Sequence, residues 1–134
     1  MENCIFCEIV RGEAESWKVY EDEFTYAFLD IFPVNEYHTL VIPKNHYENI
    51  FDIPENEAVN IMKTVKKIVD LYSDKLGMQN IQIINCNGKE AQQEVFHIHF
   101  HIVPRFSGDG QKINWTQHPE LRVRFDDLLQ KLKD

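Results

Sequence analysis

The chain has 134 residues, with 14 Lys plus Arg against 22 Asp plus Glu, which gives a formal net charge of −8 at pH 7. Because 43% of the residues are hydrophobic and 12% are aromatic, the sequence has enough apolar side chains for a core, and a wholly disordered chain is excluded. The acidic balance argues against binding to nucleic acid and no apolar run reaches the roughly 18 residues of a membrane span, so we expect one cytoplasmic domain over residues 1–134 without either partner.

Local patterns in the first half of the chain predict two helices and three strands. The longer helix has Asp52 as its predicted cap and Gly77 after its end, with an apolar stripe at helical spacing. Phe24, Tyr26 and Phe28 alternate along the second strand and are expected on one face. The predicted elements are a helix over 4–12, strands over 18–21, 24–30 and 39–42, and a helix over 52–76. The stripe consists of Ala58, Ile61, Met62, Val65, Ile68, Val69, Tyr72 and Leu76.

The second half predicts two more strands, over 80–85 and 95–104, and an amphipathic helix near the C-terminus. Strands that follow one another through short connections favour an antiparallel sheet with the helices on one side. The C-terminal helix is marked by Phe125, Leu128, Leu129 and Leu132.

Three of the six histidines, His97, His99 and His101, alternate with apolar residues on the last predicted strand. Successive side chains of a strand point to opposite faces, so the imidazoles share one face while Ile98, Phe100 and Ile102 pack inward. Positions i and i+4 of a strand lie about 13 Å apart, so the outer two imidazoles cannot bind one metal ion unless the strand bends. A row of imidazoles suits phosphate chemistry, since neutral His is a nucleophile and protonated His stabilises phosphoryl oxygens. The alternative is a solvated sheet face.

The cysteines form a Cys4-x-x-Cys7 pair and a separate Cys86. Three cysteines are an odd number and too few for a disulfide framework. On the residues alone, the pair is a redox motif, half of a metal site, or chance.

The sequence resembles the histidine triad (HIT) family of nucleotide hydrolases and transferases. The resemblance rests on His-φ-His-φ-His-φ-φ over 97–103 and on three further segments in register, over 5–7, 28–31 and 38–44. It covers about residues 3–105 and leaves the tail over 106–134 less constrained. It implies an α+β fold, with a five-stranded antiparallel sheet and helices packed on it, and a homodimer. It also implies that the nucleotidyl group of a purine nucleotide passes to the middle His and then to water.

The resemblance implies catalytic roles for His99, His101 and Gln93. His99 would be the nucleophile, His101 would hydrogen-bond the phosphate, and Gln93 would lie beside the scissile bond. An attacking imidazole needs one unprotonated nitrogen, so the other nitrogen of His99 needs an acceptor such as a backbone carbonyl. Gln93 offers both a donor and an acceptor that can orient a leaving group or water. The alternative for Gln93 is a solvated loop residue.

Nucleotide contacts are also implied by position. Asp30 falls where the family holds the ribose hydroxyls, and a carboxylate is a good acceptor for a diol, although a strand-end cap is an equal alternative. The apolar walls of the purine pocket would be Phe6, Ile9, Phe28, Ile31 and Leu40, each of which could equally be an ordinary core residue.

The phosphate loop departs from the family pattern. The family has an Asn two residues before the loop glycine, and Cys86 stands at that position here, before Asn87-Gly88. Asn85 or Asn87 can supply the missing amide. Gln92 puts a side chain where the backbone usually approaches phosphate, which puts affinity and substrate preference in doubt. Glu94 stands where many relatives have Ser or Thr beside the phosphate. A carboxylate there is a general acid, a structural anchor paired with a cation, or a residue that points away.

Zinc-bearing relatives are similar at Cys4, Cys7, His46 and His97, which would form one structural zinc site per chain. Four protein ligands close the coordination sphere, so such an ion stabilises the fold rather than activating water. His38 is the reserve ligand, and a free dithiol is the alternative. Trp115 and His118 either belong to a dimer-contacting tail or are plain surface residues.

Four functions are therefore open. The first is hydrolysis of a nucleotidyl phosphoramidate or a related nucleotidyl bond, through a covalent nucleotidyl-histidine. The second is hydrolysis of dinucleoside polyphosphates. The third is a nucleotide-binding or interaction protein with incidental catalysis, and the fourth is a zinc hydrolase with an open metal position.

Overall fold

The computed structural model describes residues 3–133. Residues 1, 2 and 134, at the ends of the predicted domain, lie outside the described residues. Its five strands form one antiparallel sheet in the order β1-β2-β3-β5-β4. The strands are β1 (Lys18–Glu21), β2 (Thr25–Leu29), β3 (Thr39–Pro43), β4 (Ile81–Ile84) and β5 (Phe100–Pro104). The α-helices are α1 (Ile5–Val10), α2 (Glu55–Leu76) and α3 (Phe125–Gln130). The predicted five-stranded antiparallel sheet is confirmed.

Both faces of the sheet are covered by helices. Ala27 and Val41 point to one face, where they pack against α2. Their neighbours Phe28, Leu40 and Ile42 point to the other face, where they pack against α1. The expectation of helices on one side is therefore wrong for α1, because alternate residues of β2 and β3 are apolar on both faces and each face needs cover.

The ends of α2 differ from the prediction at the N-terminus only. Asp52 does not cap the helix, because its carboxylate accepts the backbone N–H groups of Glu48 at 3.1 Å and Asn49 at 2.9 Å. Pro54 occupies the cap position without a side-chain bond. Gly77 ends the helix in the left-handed region, at φ 68°, as predicted. Within the predicted stripe, Met62 and Leu76 are exposed.

The histidine-bearing segment enters the sheet later than predicted. Pairing begins at Phe100, which lies opposite Val41, and the five residues before it are outside the ladder. The N–H of Ile98 instead donates to the carbonyl of Tyr47 at 2.8 Å. Ile98 nevertheless packs with Phe100 and Ile102 in the core beneath α2. The predicted alternation therefore survives the break in the strand.

The C-terminal segment adds little to the core. Its helix α3 follows a 3₁₀ helix over Pro119–Arg124 and ends before Leu132. All residues over 110–133 are exposed, with Trp115 at 84% and Leu132 at 81%. Helices as short as α3 are marginal in water unless an apolar face is packed, and every residue of α3 is exposed. Within residues 3–133 no helix combines the length and the apolar character that crossing a bilayer requires.

Candidate active site

Cys4, Cys7, His46 and His97 converge at the start of α1. Their ligand atoms all lie within 4.8 Å of one another. Sγ of Cys4 lies 3.4 Å from Nδ1 of His97, and Sγ of Cys7 lies 3.4 Å from Nδ1 of His46 and 3.5 Å from Nδ1 of His97. In a tetrahedral zinc site with bonds of about 2.3 Å to sulfur and about 2.05 Å to nitrogen, a sulfur ligand and a nitrogen ligand lie about 3.5 Å apart. The four side chains fit a closed tetrahedral metal site.

A hydrogen bond from Nε2 of His97 leaves Nδ1 of the same ring available to a metal. Nε2–H donates to the carbonyl of Pro43 at 2.9 Å, so the lone pair of the neutral ring lies on Nδ1, the atom beside the sulfurs. Burial lowers the pKa of His97 to about 4, which keeps this imidazole neutral at pH 7. The ligand set that the resemblance implies is brought together, with its outer hydrogen bond in place.

His99 is held in the tautomer that a nucleophilic imidazole requires. Its Nδ1–H donates to the backbone carbonyl of His97 at 2.9 Å, which leaves Nε2 unprotonated. The ring is buried and packs edge-to-face with Phe6; the two ring centroids are 5.2 Å apart. Burial lowers the pKa of His99 below its ordinary value, so the lone pair is available at neutral pH. The backbone acceptor that the sequence called for is therefore present.

His101 contacts a fourth histidine. Nδ1 of His101 lies 2.9 Å from Nε2 of His38, and Oδ2 of Asp30 lies 3.4 Å from the same Nε2. His38 is buried here and is not part of the cysteine cluster, so it is not a reserve ligand of that cluster; its ring groups instead with Asp30 and His101. The sequence indicates this position, because His38 lies two residues before Leu40 and therefore points to the same face of the sheet. Leu40 is the cross-strand neighbour of His101.

Burial controls the charge of both rings in this pair. It lowers the pKa of His101 to about 4, with smaller contributions from the neighbouring rings of His99 and His38. It also lowers the pKa of His38, against an opposing contribution from the carboxylate of Asp30. Both rings are therefore neutral at pH 7, and His101 offers a phosphate one N–H rather than a positive charge.

Asp30 makes the strand-end contacts that the sequence offered as one of its two possible roles. Its Oδ1 accepts the N–H of Phe32 at 2.8 Å, and its own N–H donates to the carbonyl of His38 at 2.9 Å. One oxygen therefore caps the strand end. The other oxygen faces His38 and lies on the histidine side of the turn.

Gln93 anchors the loop that precedes the histidines. The side chain is buried, with Oε1 accepting the N–H of Gly88 at 2.8 Å. Nε2 donates to the carbonyls of Glu48 at 2.7 Å and Val95 at 3.1 Å. The interpretation as a solvated residue is thus wrong. Both amide hydrogens are engaged with the backbone, so only an Oε1 lone pair is left for a substrate.

Asn87 and Asn85 also hold this loop. Oδ1 of Asn87 accepts the N–H of Ile50 at 2.7 Å, and its amide donates to Asn85. Asn85 in turn donates to the carbonyl of His99 at 3.0 Å. Gln92 adopts φ 70°, a region that favours glycine. The departure from the family pattern at Gln92 therefore carries backbone strain.

The predicted purine walls are mostly core residues. Four of them lie in the buried cluster on the α1 face, whereas Ile31 is 63% exposed. The four buried residues are Phe6, Ile9, Phe28 and Leu40. Glu94 is exposed, and its charge raises the pKa of His99 against the larger lowering by burial.

A cavity of about 230 Å³ opens beside the His38–His101 pair. Arg105 lies in its wall but is committed to Asp109, whose carboxylate it contacts at 2.8 Å and 3.1 Å. Gln82 in the same wall accepts from Arg105 at 2.6 Å. The cavity gives a ligand access to His101.

Comparison with known proteins gives one consistent family. A HIT domain model matches residues 11–108. An uncharacterized HIT-like protein of Methanocaldococcus jannaschii is 47% identical over 130 residues, which cover 97% of this chain and 98% of that protein. An adenosine 5'-monophosphoramidase of Saccharomyces cerevisiae is 36% identical over 135 residues, covering 97% of this chain and 83% of the enzyme. The crystal structure of a zinc-bound histidine triad family protein from Mycobacterium smegmatis superimposes with a TM-score of 0.78 at 35% identity, covering 96% of this chain and 97% of that one.

Proposed function

The chain belongs to the HIT domain family and is an enzyme of its nucleotide hydrolase class. On this premise, we propose that it cleaves the phosphorus–nitrogen bond of a purine nucleoside 5'-phosphoramidate. The observation that carries the proposal is the hydrogen bond from Nδ1–H of His99 to the His97 carbonyl, because it leaves a buried nucleophilic nitrogen at Nε2. The similarity to an adenosine 5'-monophosphoramidase supports the amine leaving group.

The proposed reaction has two displacements. Nε2 of His99 attacks the α-phosphorus, and the bond from phosphorus to the amine nitrogen breaks. The amine departs with a proton from solvent, and the nucleotidyl group stays on His99. Water then attacks the same phosphorus, the bond to His99 breaks, and a proton returns to solvent with release of the nucleoside monophosphate. His101 donates a hydrogen bond to a phosphoryl oxygen as charge develops there.

The nucleotide contacts are proposed from the family pattern. Asp30 would accept from the ribose hydroxyls, and its Oδ2 is available for this because Oδ1 alone caps the turn. Gln93 and Asn87 would shape the phosphate loop through the bonds described above. Purine contacts would come from Phe6, Ile9, Phe28, Ile31 and Leu40.

We also propose that Cys4, Cys7, His46 and His97 hold one structural zinc ion. The sulfur–nitrogen separations near 3.4 Å support it, as does the zinc-bound relative. Four protein ligands leave no open coordination position, which weighs against a zinc hydrolase. The family resemblance and the exposed apolar residues of the tail, including Trp115, support a homodimer. The charge of −8 weighs against a nucleic acid partner.

A comparison of two substrates tests the proposed bond. We expect kcat/KM for adenosine 5'-monophosphoramidate to exceed that for diadenosine tetraphosphate by at least about tenfold, because only the first places an amine at the cleaved bond. The reverse order would favour the dinucleoside polyphosphate hydrolase. Tight binding of AMP without turnover of either compound would favour the binding protein.

Replacing Glu94 tests whether its carboxylate lies near the phosphate. Glu94→Ser should tighten AMP binding by about threefold, because a solvent-screened like charge is removed. Calorimetry measures this, and Glu90→Ser, an exposed carboxylate of the same loop, is the control that should bind as the parent does. Equal binding by the two variants would mean that Glu94 points away. Loss of the alkaline limb of the pH–rate profile in Glu94→Ser would assign the leaving-group proton to Glu94 rather than to solvent.

A further inference from the structure

The backbone around β3 fixes the position of the hydrogen on His38. The N–H of Val34 donates to Nδ1 of His38 at 3.1 Å, so this nitrogen is an acceptor and carries no hydrogen. A neutral imidazole has one N–H, and burial keeps His38 neutral. The hydrogen therefore lies on Nε2, where Oδ2 of Asp30 at 3.4 Å is a second acceptor.

The hydrogen bond between His38 and His101 then fixes the position of the hydrogen on His101. Nε2 of His38 lies 2.9 Å from Nδ1 of His101, and a bond between two neutral rings needs one donor and one acceptor. Because His38 supplies the hydrogen, Nδ1 of His101 accepts it. The single hydrogen of His101 is left on Nε2, the nitrogen that is free for a ligand.

We propose that His38 is a positioning residue that holds His101 as the Nε2–H tautomer, so that a phosphoryl oxygen meets a hydrogen-bond donor. The reaction in which this donor acts rests on the proposed function. His99 and His101 are then locked in opposite tautomers by different means. The carbonyl of His97 puts the hydrogen of His99 on Nδ1, whereas the donor His38 keeps the hydrogen of His101 on Nε2. Neighbouring rings thereby present a lone pair for attack and an N–H for the phosphate.

The tautomer can be read directly from ¹⁵N chemical shifts of the histidine rings in the zinc-loaded protein. We expect an unprotonated Nδ1 and a protonated Nε2 for His101 at mildly alkaline pH. His38→Gln keeps a donor for Nδ1 and should preserve this pattern, whereas the similarly sized His38→Glu offers only an acceptor and should draw a hydrogen to Nδ1. Detection of a protonated Nδ1 in the parent protein would overturn the proposal, and this measurement decides the question even if a variant fails to fold.

Kinetics with adenosine 5'-monophosphoramidate provide the functional arm. His38→Gln should keep kcat within about threefold, and His38→Glu should lower it by at least about tenfold, as the loss of an oxyanion donor does. Gln79→Glu adds one carboxylate at an exposed residue outside the cavity, and it should keep kcat within about threefold. Equal losses in His38→Glu and Gln79→Glu would contradict the positioning role. A failure of the proposed reaction would instead show as the absence of a nucleotidyl adduct on His99 in the parent protein, where His38 is intact.

Discussion

His99→Ala is expected to lower kcat for adenosine 5'-monophosphoramidate by at least about 10⁴-fold, because it removes the nitrogen that forms the bond to phosphorus in the proposed reaction. The dissociation constant of AMP should stay within about threefold, since ribose, purine and the His101 hydrogen bond are retained. Steady-state kinetics and calorimetry on the same preparations measure the two quantities.

His101→Ala is the matched comparison, because in the proposed reaction His101 hydrogen-bonds the phosphate but does not form a bond to phosphorus. It should weaken AMP binding and lower kcat together. Substantial turnover in His99→Ala, or equal loss of AMP binding in the two variants, would remove the nucleophile assignment from His99.

His46→Ala is expected to abolish zinc binding and to lower the free energy of unfolding by about 3 kcal/mol or more, which corresponds to roughly 10 °C in Tm for a chain of this size. The side chain supplies one of four ligand atoms that meet within 4.8 Å. Its loss would leave the proposed coordination sphere incomplete at the point where α1 meets the histidine segment. Elemental analysis and thermal unfolding test both effects.

His118→Ala is the control for this experiment. His118 is exposed, and its ring contacts Glu120 at 3.2 Å rather than the cysteine cluster, so its removal should leave one zinc ion per chain. Full zinc content in His46→Ala would show that the ligand set is wrong. Loss of turnover on metal removal, with unchanged Tm, would favour the zinc hydrolase instead.

Alternation explains why much of the site could be predicted from the sequence. The period of two over 97–103 places the imidazoles on the face that carries Leu40, and it places Ile98, Phe100 and Ile102 on the opposite face, beneath α2. These features depend on local order along the chain. They therefore hold although pairing of β5 begins only at Phe100.

Contacts between distant segments could not be read in the same way. The break before Phe100 depends on the bond from Ile98 to the Tyr47 carbonyl, and the burial of Gln93 depends on the Glu48 carbonyl. Asp52 is misassigned for a related reason, because backbone donors at Glu48 and Asn49 compete for its carboxylate. Each of these outcomes is decided by a partner that no helical or strand period indicates.

His38 illustrates the same limit within the site. Its parity with Leu40 places it on the imidazole face, but its contact with His101 requires the register between β3 and β5. The sequence therefore identifies the three imidazoles that the family motif contains, whereas the hydrogen-bonded fourth one needs the tertiary structure.

The most direct measurement is a quenched single-turnover reaction with adenosine 5'-monophosphoramidate labelled at the α-phosphate. Digestion and mass spectrometry should find an acid-labile nucleotidyl group on His99, which forms and decays at rates consistent with turnover and is missing in His99→Ala. Label on another residue, or product formation without any labelled protein, would contradict covalent catalysis by His99.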